Sequence, residues 1–589
     1  MKDYLQTRWS LQDILDSSDE QKFNQRLEQL EQAVAEFEAV RPSLTPDLSD
    51  ADFLKILQRY EALSVMLRSL GAYSELWFSE DTQNQAALAF QGRFDHLAAD
   101  ASNRILFFTL WMKDLPDETI ERFMQISGDR RYFLESQRRF KPYLLGESEE
   151  QLITLKDVNG IEGLLTLYEM ITNKFEFKLT VDGELKTMTR DELQNYFHSP
   201  SPAVRAAAYQ ELFRVYADNS AVLAQIYNYR ARDWHSEMID LRHFREPISM
   251  QNLANDIPDP VVDTILDVCR QNADLFQRYF KLKAKWLGVD KLRRYDIYAP
   301  LVQGEKLYSY SEAAELVLST FNYFSPSVSE KAQRVFDQNH IDGEVRPGKR
   351  GGAFCYAVLP TLTPWVLVNF NGRPRNVAIM AHELGHAVHA MMAADHSILS
   401  FQSALPLAET ASVFSEMLMT DRLLRDENDP ALRRDLLSSF IDDAYATVQR
   451  QAYISIFERD AHRLIGEGKS VDEVCAEYLA NLTEQFGDAL EISEEFKWEW
   501  TLIPHIYQTP FYTYAYSFGQ LLVLALYQQF RTEGESFKPR YLKILASGGS
   551  AAPAAILAEA GIDITSAKFW QGGFDVIQGF INELEELSK

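Results

Sequence analysis

Two histidines and a glutamate stand at a spacing that suits metal chemistry. The segment HELGHAVH places His382 and His386 four residues apart, with Glu383 between them. On a helix, residues four apart project from one face, so both imidazoles can reach one zinc ion at roughly 2.0 to 2.1 Å. Zinc lowers the pKa of its bound water toward about 7, and a neighbouring carboxylate can take the proton. The spacing therefore predicts a zinc hydrolase in which Glu383 is the general base.

The residues before this motif supply the setting that it needs. An apolar run from Trp365 to Phe370 predicts a strand, Asn371 and Gly372 predict a turn, and Asn376 is the expected N-cap of the histidine helix. The competing interpretation, a pair of ordinary core histidines, does not account for this strand, turn and helix. The strand itself is either an edge that pairs with an extended peptide or a buried structural strand, and both alternatives are open.

A zinc hydrolase also needs a third protein ligand and an open fourth position. The longer motif HExxHxxGxxH requires glycine at 389 and histidine at 392, whereas the chain has His389 and Met392. The alternative source is a helix that starts near Pro406 and carries Glu409 and Glu416 on one face. Both glutamates stand among apolar residues, where an unpaired carboxylate is costly, so we expect each to bind the metal or to orient a ligand imidazole.

A second group of polar residues lies toward the C-terminus. The segment IPHIYQTPFYTYAYSFG contains His505, Tyr512, Tyr514 and Tyr516. Imidazole and phenol groups can donate hydrogen bonds to the oxyanion that forms when water attacks a carbonyl. The alternative for each tyrosine is aromatic packing with its hydroxyl at the rim.

Composition narrows the class of protein. The 589 residues are 46% hydrophobic and carry a formal charge of −27, which would repel nucleic acid. The three cysteines show no CxxC spacing, no apolar run is long enough to span a membrane, and the N-terminus lacks the apolar core of a secretory signal. We therefore expect a cytoplasmic protein that binds neither nucleic acid nor membranes.

Apolar residues at intervals of three and four predict a mainly helical chain, beginning with the amphipathic run from Phe23 to Phe37. A β-hairpin is expected at 175–189, around Asp182 and Gly183, followed by a capping box formed by Thr189 and Glu192. The Ser- and Pro-rich segment 198–205 is the expected boundary between an N-terminal helical lobe, 1–200, and a catalytic domain, 201–589.

Taken together, these segments resemble the thimet oligopeptidase family of zinc peptidases, and within it the oligoendopeptidase F branch. The resemblance rests on HELGHAVH, on the glutamate of LAETAS 27 residues after the first histidine, and on four further segments, GGAFCYAV, WVLVNF, DIYAPLV and IPHIYQTPFYTYAYSFG. The opening segment TRWSLQDIL agrees too, so the similarity spans nearly the whole chain.

The resemblance implies a mainly helical, two-lobed body with a deep central channel and a small β element beside the HExxH helix. It implies one zinc ion and internal cleavage of short unstructured peptides. By the same resemblance, the metal ligands are His382, His386 and Glu409, the general base is Glu383, and the oxyanion is held by His505, Tyr512 and Tyr516.

Two other functions fit the same residues. A helical zinc carboxypeptidase shares HExxH and a downstream glutamate but releases single C-terminal residues. A non-catalytic peptide-binding protein would use the channel as a receptor, although it would have no need of a base beside the metal. The oligomeric state is left open by the sequence.

Overall fold

The structure is a computed structural model that describes residues 3–15, 20–301 and 306–589. It is 70% helical with 4% strand, which confirms the predicted mainly α fold. The α-helices are α1 (Glu20–Glu38), α2 (Asp50–Glu80), α3 (Gln85–Asp114), α4 (Asp117–Ile126), α5 (Arg131–Arg138), α6 (Glu147–Asn159), α7 (Ile161–Thr172), α8 (Arg190–Gln194), α9 (Pro202–Asp218), α10 (Ser220–His235), α11 (Ser249–Ala254), α12 (Asp259–Gln271), α13 (Ala273–Trp286), α14 (Tyr310–Phe324), α15 (Pro326–Asp337), α16 (Pro374–Met392), α17 (Leu405–Ala408), α18 (Ser412–Asp426), α19 (Pro430–Ala444), α20 (Arg450–Gly466), α21 (Val471–Phe486), α22 (Pro504–Gln508), α23 (Tyr514–Glu533), α24 (Lys538–Ala546), α25 (Pro553–Glu559) and α26 (Ala567–Glu586).

In the described part of the chain the strands are short and form three small sheets. They are β1 (Phe177–Val181), β2 (Glu184–Met188), β3 (Leu292–Arg293), β4 (Ile341–Asp342), β5 (Ala353–Tyr356), β6 (Trp365–Val368) and β7 (Leu490–Glu491). Strands β1 and β2 pair antiparallel, β3 and β7 pair parallel, and the third sheet has the order β4-β6-β5. Short 3-10 or π-helical segments connect several of the helices. Among the described residues, Ser236–Leu241 and Tyr445–Gln449 are π-helical.

The chain folds into two compact units, each assembled from three segments. The first unit contains Met1–Lys141, Glu305–Arg425 and Gln529–Asp563, and the second contains Pro142–Gly304, Asp426–Gln528 and Ile564–Lys589. The lobe boundary expected near residue 200 falls inside the first segment of the second unit and stays a prediction. None of the described helices combines the length and hydrophobicity that a membrane span requires.

Local sequence signals produce the elements that they predict. The hairpin turns at Asp182 and Gly183, both with positive φ, as a two-residue turn requires for strands of natural twist. Thr189 and Glu192 form the predicted capping box at the start of α8. In α1 the predicted amphipathic face is buried at Phe23, Leu30, Val34 and Phe37, which confirms the helix.

The third sheet lies beside the HELGH helix and corrects one sequence expectation. Strand β6 is central and completely buried, so the interpretation of Trp365–Phe370 as a sheet edge is wrong and the buried structural strand is right. The edge is instead β5, which runs antiparallel to β6 with Phe354 opposite Leu367. Trp365 fixes the sheet, because its indole N–H donates to the Ser10 carbonyl and its ring stacks on His340.

A buried ion cluster holds β4 against the segment before β5. Asp342 is fully buried and accepts hydrogen bonds from Arg346 at 2.6 and 2.8 Å, while Lys349 lies 2.9 Å from it. The Lys349 ammonium also donates to the carbonyls of Asp342, Glu344 and Val368. A buried charge is tolerated when its partners are complete, as they are here. The cluster therefore locks the sheet on which α16 packs.

Candidate metal centre and active site

The helix that carries the HELGH motif, α16, begins earlier than the sequence suggests. Pro374 occupies its first turn and Arg373 is the N-cap, so the expectation that Asn376 caps the helix is wrong. Proline is well suited to the first turn because the amide that it lacks would have no helical partner there. Asn376 still stabilises the start, since its side-chain oxygen accepts from the backbone N–H groups of Asn371 and Arg373.

The glutamates expected on one continuous helix are divided by a break. Helix α17 ends at Ala408, Glu409 is its C-cap, and α18 starts at Ser412. The expectation of an unbroken helix from near Pro406 is therefore wrong. Hydrogen bonds from Ser412 accompany this break. The Ser412 hydroxyl donates to the Glu409 carboxylate at 2.6 Å and to the Glu409 backbone carbonyl at 3.1 Å.

His382, His386 and Glu409 converge on one point, with their possible ligand atoms all within 4.8 Å of one another. A Glu409 carboxylate oxygen lies 3.4 Å from Nε2 of His382 and 3.4 Å from Nε2 of His386. Tetrahedral ligands at zinc distances of 2.0 to 2.2 Å are roughly 3.3 to 3.6 Å apart. Two imidazole nitrogens and one carboxylate oxygen are also a donor set that zinc prefers, so these three residues fit a zinc ion.

Glu416 reaches the same cluster from α18. Its carboxylate lies 3.3 Å from Nδ1 of His382, on the opposite side of the ring from Glu409. A carboxylate at the remote nitrogen of a ligating histidine fixes the tautomer and makes the imidazole a better donor. This contact places Glu416 where it can orient His382.

The charges of the cluster favour a bound cation. Burial works against a charged His382, but the carboxylates of Glu409 and Glu416 accept hydrogen bonds from its ring, outweigh the effect of burial and raise its pKa to about 10. Burial would raise the pKa of Glu409, yet the neighbouring histidines and Ser412 lower it to about 2. Burial raises the pKa of Glu383 to about 7, with Glu409 and Glu416 adding to the shift. Without an ion, the carboxylates thus draw a proton onto His382, and a bound metal cation would take the place of that proton.

The cluster opens into a cavity of about 640 Å³ in the first unit. The wall of this cavity includes His382, Glu383, His386 and Glu409, together with Cys355 of the edge strand β5. The Glu409 side chain is 46% exposed, so it faces this space rather than the apolar core that its sequence neighbours suggested. The metal-binding atoms are therefore accessible to a ligand of substantial size.

His389 lies beside the cluster but is not one of the three residues that converge on a common point. It is buried, and burial lowers its pKa to about 4. Its ring also lines the cavity beside His386, and a backbone hydrogen bond with Ala408 partly opposes the fall in pKa.

Gly385 is a site residue that the motif alone does not single out. A Cβ atom at this position would lie 2.7 Å from the Ala411 carbonyl oxygen and 2.7 Å from the Ser412 Cα. These are backbone atoms that cannot move without shifting the segment that carries Glu409. The absence of a side chain at 385 thus allows α16 to approach the α17–α18 turn closely enough for the histidines and the glutamate to meet.

The C-terminal residues form a separate cluster within the second unit. Nε2 of His505, on α22, hydrogen-bonds to the Tyr516 hydroxyl at 3.3 Å. The Tyr512 ring lies parallel to His505 with 6.2 Å between centroids and packs edge-on against Tyr516 at 5.3 Å. Burial, with Arg450 adding to it, lowers the pKa of His505, which favours the neutral ring.

Tyr514 takes no part in this cluster. Its side chain is fully buried and its hydroxyl accepts a hydrogen bond from the Asn255 side chain at 2.9 Å. Of the three alternating tyrosines, Tyr512 and Tyr516 therefore lie beside His505, whereas Tyr514 lies in the core. Helix α23 begins at Tyr514.

Comparison with known proteins shows the family to which the chain belongs. The sequence model of peptidase family M3 matches residues 195–576, more than half of the chain, and the model named Oligopeptidase F matches 111–177. The chain belongs to peptidase family M3. It is therefore a peptidase, and the predicted resemblance to oligoendopeptidase F is confirmed.

Several similar proteins align with this chain over almost its full length. Group B oligopeptidase PepB from Streptococcus agalactiae is 27% identical over 92% of this chain and 90% of its own length. Oligopeptidase PepF from Bacillus subtilis is 25% identical over 98% and 87%. Among solved structures, a Chlamydophila abortus protein superimposes with a TM-score of 0.90 at 22% identity, covering 99% of this chain and 98% of that one. Oligoendopeptidase-F from Enterococcus faecium has a TM-score of 0.70 at 23% identity, covering 96% and 99%.

We predict that Gly385→Ala disrupts the approach of α16 to the Glu409 turn. The new methyl group meets backbone atoms, so the free energy of unfolding should fall by about 1 to 3 kcal/mol. The matched control is Gly92→Ala within α3, where the added Cβ atom would have no heavy atom within 4 Å apart from its chain neighbours and the nearby backbone of the helix. That variant should gain about 0.5 to 1 kcal/mol, because alanine suits a helix better than glycine. Urea denaturation measures both, and a wild-type midpoint for Gly385→Ala would contradict the close contact.

Proposed function

We propose that the protein is a zinc-dependent endopeptidase that cuts internal bonds of short, unstructured peptides. The observation that carries the proposal is the convergence of His382, His386 and Glu409 at ligand spacing, with Glu383 in the same cavity wall. Membership of peptidase family M3 supports hydrolysis of oligopeptides. A cytoplasmic location stays a prediction.

His382, His386 and Glu409 would hold one zinc ion, and Glu416 would orient His382 through its Nδ1 atom. Zinc, when bound, supplies Lewis-acid chemistry that lets water lose a proton near neutral pH. Ser412 keeps the Glu409 carboxylate turned toward the histidines by donating to it. Three protein ligands leave a position for water and substrate, as catalytic zinc sites require.

Glu383 would move the proton. It takes a proton from the attacking water and later gives it to the amine of the departing peptide, so the carboxyl group returns to its starting state. A general base works best when its pKa lies near the operating pH, and burial raises the pKa of Glu383 to about 7. The side chain is 7% exposed, which limits competition from bulk water.

His505, Tyr512 and Tyr516 are assigned to the oxyanion that develops on the peptide carbonyl. Burial raises the pKa of Tyr516, so its hydroxyl keeps its proton and can donate. The hydrogen bond and ring contacts among the three residues hold them ready before the substrate arrives. Donors preorganised in this way stabilise a developing negative charge without further rearrangement.

The edge strand β5 is the part of the cavity best suited to bind the peptide backbone. Ala353, Phe354 and Cys355 lie in the cavity wall, and only one side of β5 pairs with another described strand. An extended peptide that adds to such an edge gains main-chain hydrogen bonds without regard to its sequence. This favours a broad range of substrates in an extended conformation.

We predict that Glu383→Gln retains zinc and loses turnover. Glutamine keeps the size of the side chain but cannot accept the proton, so kcat should fall by at least about 100-fold. Short peptides blocked at both ends are incubated with zinc-loaded wild type and variant, products are identified by mass spectrometry, and bound zinc is measured in parallel. Glu28→Gln, an exposed change on α1, is the matched control and should cleave like the wild type.

The products also separate the alternatives. Internal cuts by the wild type speak for an endopeptidase, because a carboxypeptidase needs a free C-terminus. Turnover by Glu383→Gln at the wild-type rate would remove Glu383 from the role of base. Zinc-loaded wild type that binds the blocked peptides without cutting them would indicate a carboxypeptidase or a peptide receptor.

Removing the carboxylate behind His382 should weaken metal binding without abolishing it. For Glu416→Gln we predict a zinc affinity about 10- to 100-fold lower than wild type, because the imidazole loses its charged partner. For Glu409→Gln the loss should be larger, since a ligand itself is removed. Competition with a chromophoric chelator measures both affinities, and equal losses for the two variants would contradict their different roles.

A further inference from the structure

A cluster of charged side chains in the second unit carries more positive than negative charge. Arg294 donates to a Glu499 carboxylate oxygen at 2.8 Å, and Arg450 donates to the same oxygen at 3.4 Å. The Tyr478 hydroxyl donates to the other carboxylate oxygen at 3.1 Å. Arginine keeps its proton in proteins, so two positive groups share one carboxylate. No role in the proposed reaction has been given to any of these residues.

Glu499 is used mainly by Arg294. Both side chains are buried, and the Arg294 guanidinium lies 5.6 and 5.2 Å from the ring centroids of Phe486 and Phe496. Its Nε and Nη1 atoms have no hydrogen-bond partner among the described residues, and its one ion pair there is with Glu499. A buried cation without its counter-ion is strongly unfavourable. The shared carboxylate therefore balances Arg294 first, and the charge of Arg450 is left largely unbalanced.

Arg450 is the arginine of this cluster that a ligand can reach. Its side chain is 26% exposed, whereas that of Arg294 is 2% exposed. The 3.4 Å contact with Glu499 is its only hydrogen bond within the described part of the chain, and it uses one terminal nitrogen. A guanidinium offers five N–H donors, whose fork matches a carboxylate through two parallel hydrogen bonds. Arg450 can thus bind an anionic group that arrives from solvent.

Arg450 lies close in sequence to a contact with the helix that carries Tyr516. It is the first residue of α20 and follows the π-helical segment Tyr445–Gln449. The Val448 carbonyl in this segment accepts a 2.8 Å hydrogen bond from the hydroxyl of Ser517, the neighbour of Tyr516. Val448 and Ser517 are both fully buried, so this contact fixes the segment before Arg450 beside the proposed oxyanion cluster.

The charge of Arg450 acts on that cluster. Burial lowers the pKa of His505, and the positive charge of Arg450 lowers it further. Electrostatic interactions weaken with distance, so this effect agrees with the position that the Val448 contact gives Arg450. A substrate that reaches His505 and Tyr516 therefore lies in the field of an unbalanced positive charge.

The ligand chemistry follows from the charge of the whole chain. The formal charge of −27 repels dissolved anions and acidic proteins, and the excess positive charge of this cluster is local. An anion that is part of a bound peptide is brought to Arg450 by the rest of that peptide. Every peptide with an unmodified C-terminus carries one carboxylate there, whatever its sequence. A C-terminal carboxylate is therefore the group best matched to Arg450.

We propose that Arg450 binds the C-terminal carboxylate of the peptide substrate, while Glu499 and Arg294 hold its guanidinium in place. The inference rests on the proposed function, because it extends the substrate site of the same peptidase. Arg450 contacts the end of the peptide and takes no part in proton transfer. Such an anchor favours cleavage at a set number of residues from a free C-terminus.

The test compares one short peptide, acetylated at its N-terminus and free of acidic residues, with a free or an amidated C-terminus. Steady-state constants are measured with the full-length, zinc-loaded protein. Charge-assisted hydrogen bonds are strong, so wild type should have a KM about 10-fold or more lower for the free acid than for the amide. In Arg450→Gln the two KM values should agree within about 2-fold.

Two further variants complete the comparison. Arg463→Gln changes an exposed arginine on the same helix and should keep the wild-type preference for the free acid. Should urea denaturation show that Arg450→Gln fails to fold, Arg450→Met takes its place with the same expectation, because methionine keeps the apolar stem of the side chain. A structural defect would raise the KM of both peptides alike, whereas loss of the anchor raises only that of the free acid.

A third peptide identifies the carboxylate that Arg450 binds. It is amidated and ends in glutamate, so its only carboxylate is on a side chain, and we expect it to have the KM of the uncharged amide. A KM as low as that of the free acid would assign Arg450 to acidic side chains and overturn the C-terminal assignment.

The outcomes separate the two proposals. Equal KM values for free acid and amide in wild type, or a preference that persists in Arg450→Gln, would overturn the anchor and leave the peptidase mechanism intact. Failure of the proposed function looks different, since wild type would then cut neither form internally. In that case calorimetric Kd values replace KM: a preference for the free acid that is lost in Arg450→Gln would support the anchor, and its absence would overturn it.

Discussion

The site depends on the attraction between two imidazoles and the carboxylates that surround them. His382 and His386 face Glu409 at equal distances, Glu416 lies behind His382, and Glu383 is held in the same wall. Carboxyl groups at this density favour a bound cation, and two imidazole nitrogens with one carboxylate oxygen are a ligand set that fits zinc. The arrangement exists only because α16 can approach the Glu409 turn at Gly385, where a side chain would collide with backbone.

Much of the fold follows from local sequence signals. The periodic apolar residues of α1, the turn at Asp182 and Gly183 and the capping box at Thr189 each act within a few residues, and each appears as predicted. Pairing in the third sheet could not be predicted in the same way. Its order places β6 between β4 and β5, a result of contacts between distant segments that the apolar run of β6 does not reveal.

In the site, too, features that depend on neighbouring residues could be predicted, whereas those that depend on contacts between separate segments could not. Helical spacing of four residues suffices to put His382 and His386 on one face. The break before Ser412 was not apparent, because Glu409 and Glu416 also fit one helix and only the hydrogen bonds of Ser412 show the turn. Gly385 was missed because its importance lies in the backbone that it approaches at Ala411 and Ser412, a contact that the spacing of the motif residues does not reveal.

The most direct measurement is anomalous diffraction at the zinc edge from crystals of the protein grown with zinc. We expect a single strong peak in this cavity, about 2.0 to 2.2 Å from Nε2 of His382, Nε2 of His386 and a carboxylate oxygen of Glu409. A peak bound by Glu416 in place of Glu409, a fourth protein ligand that closes the site, or no peak at this cluster would contradict the account.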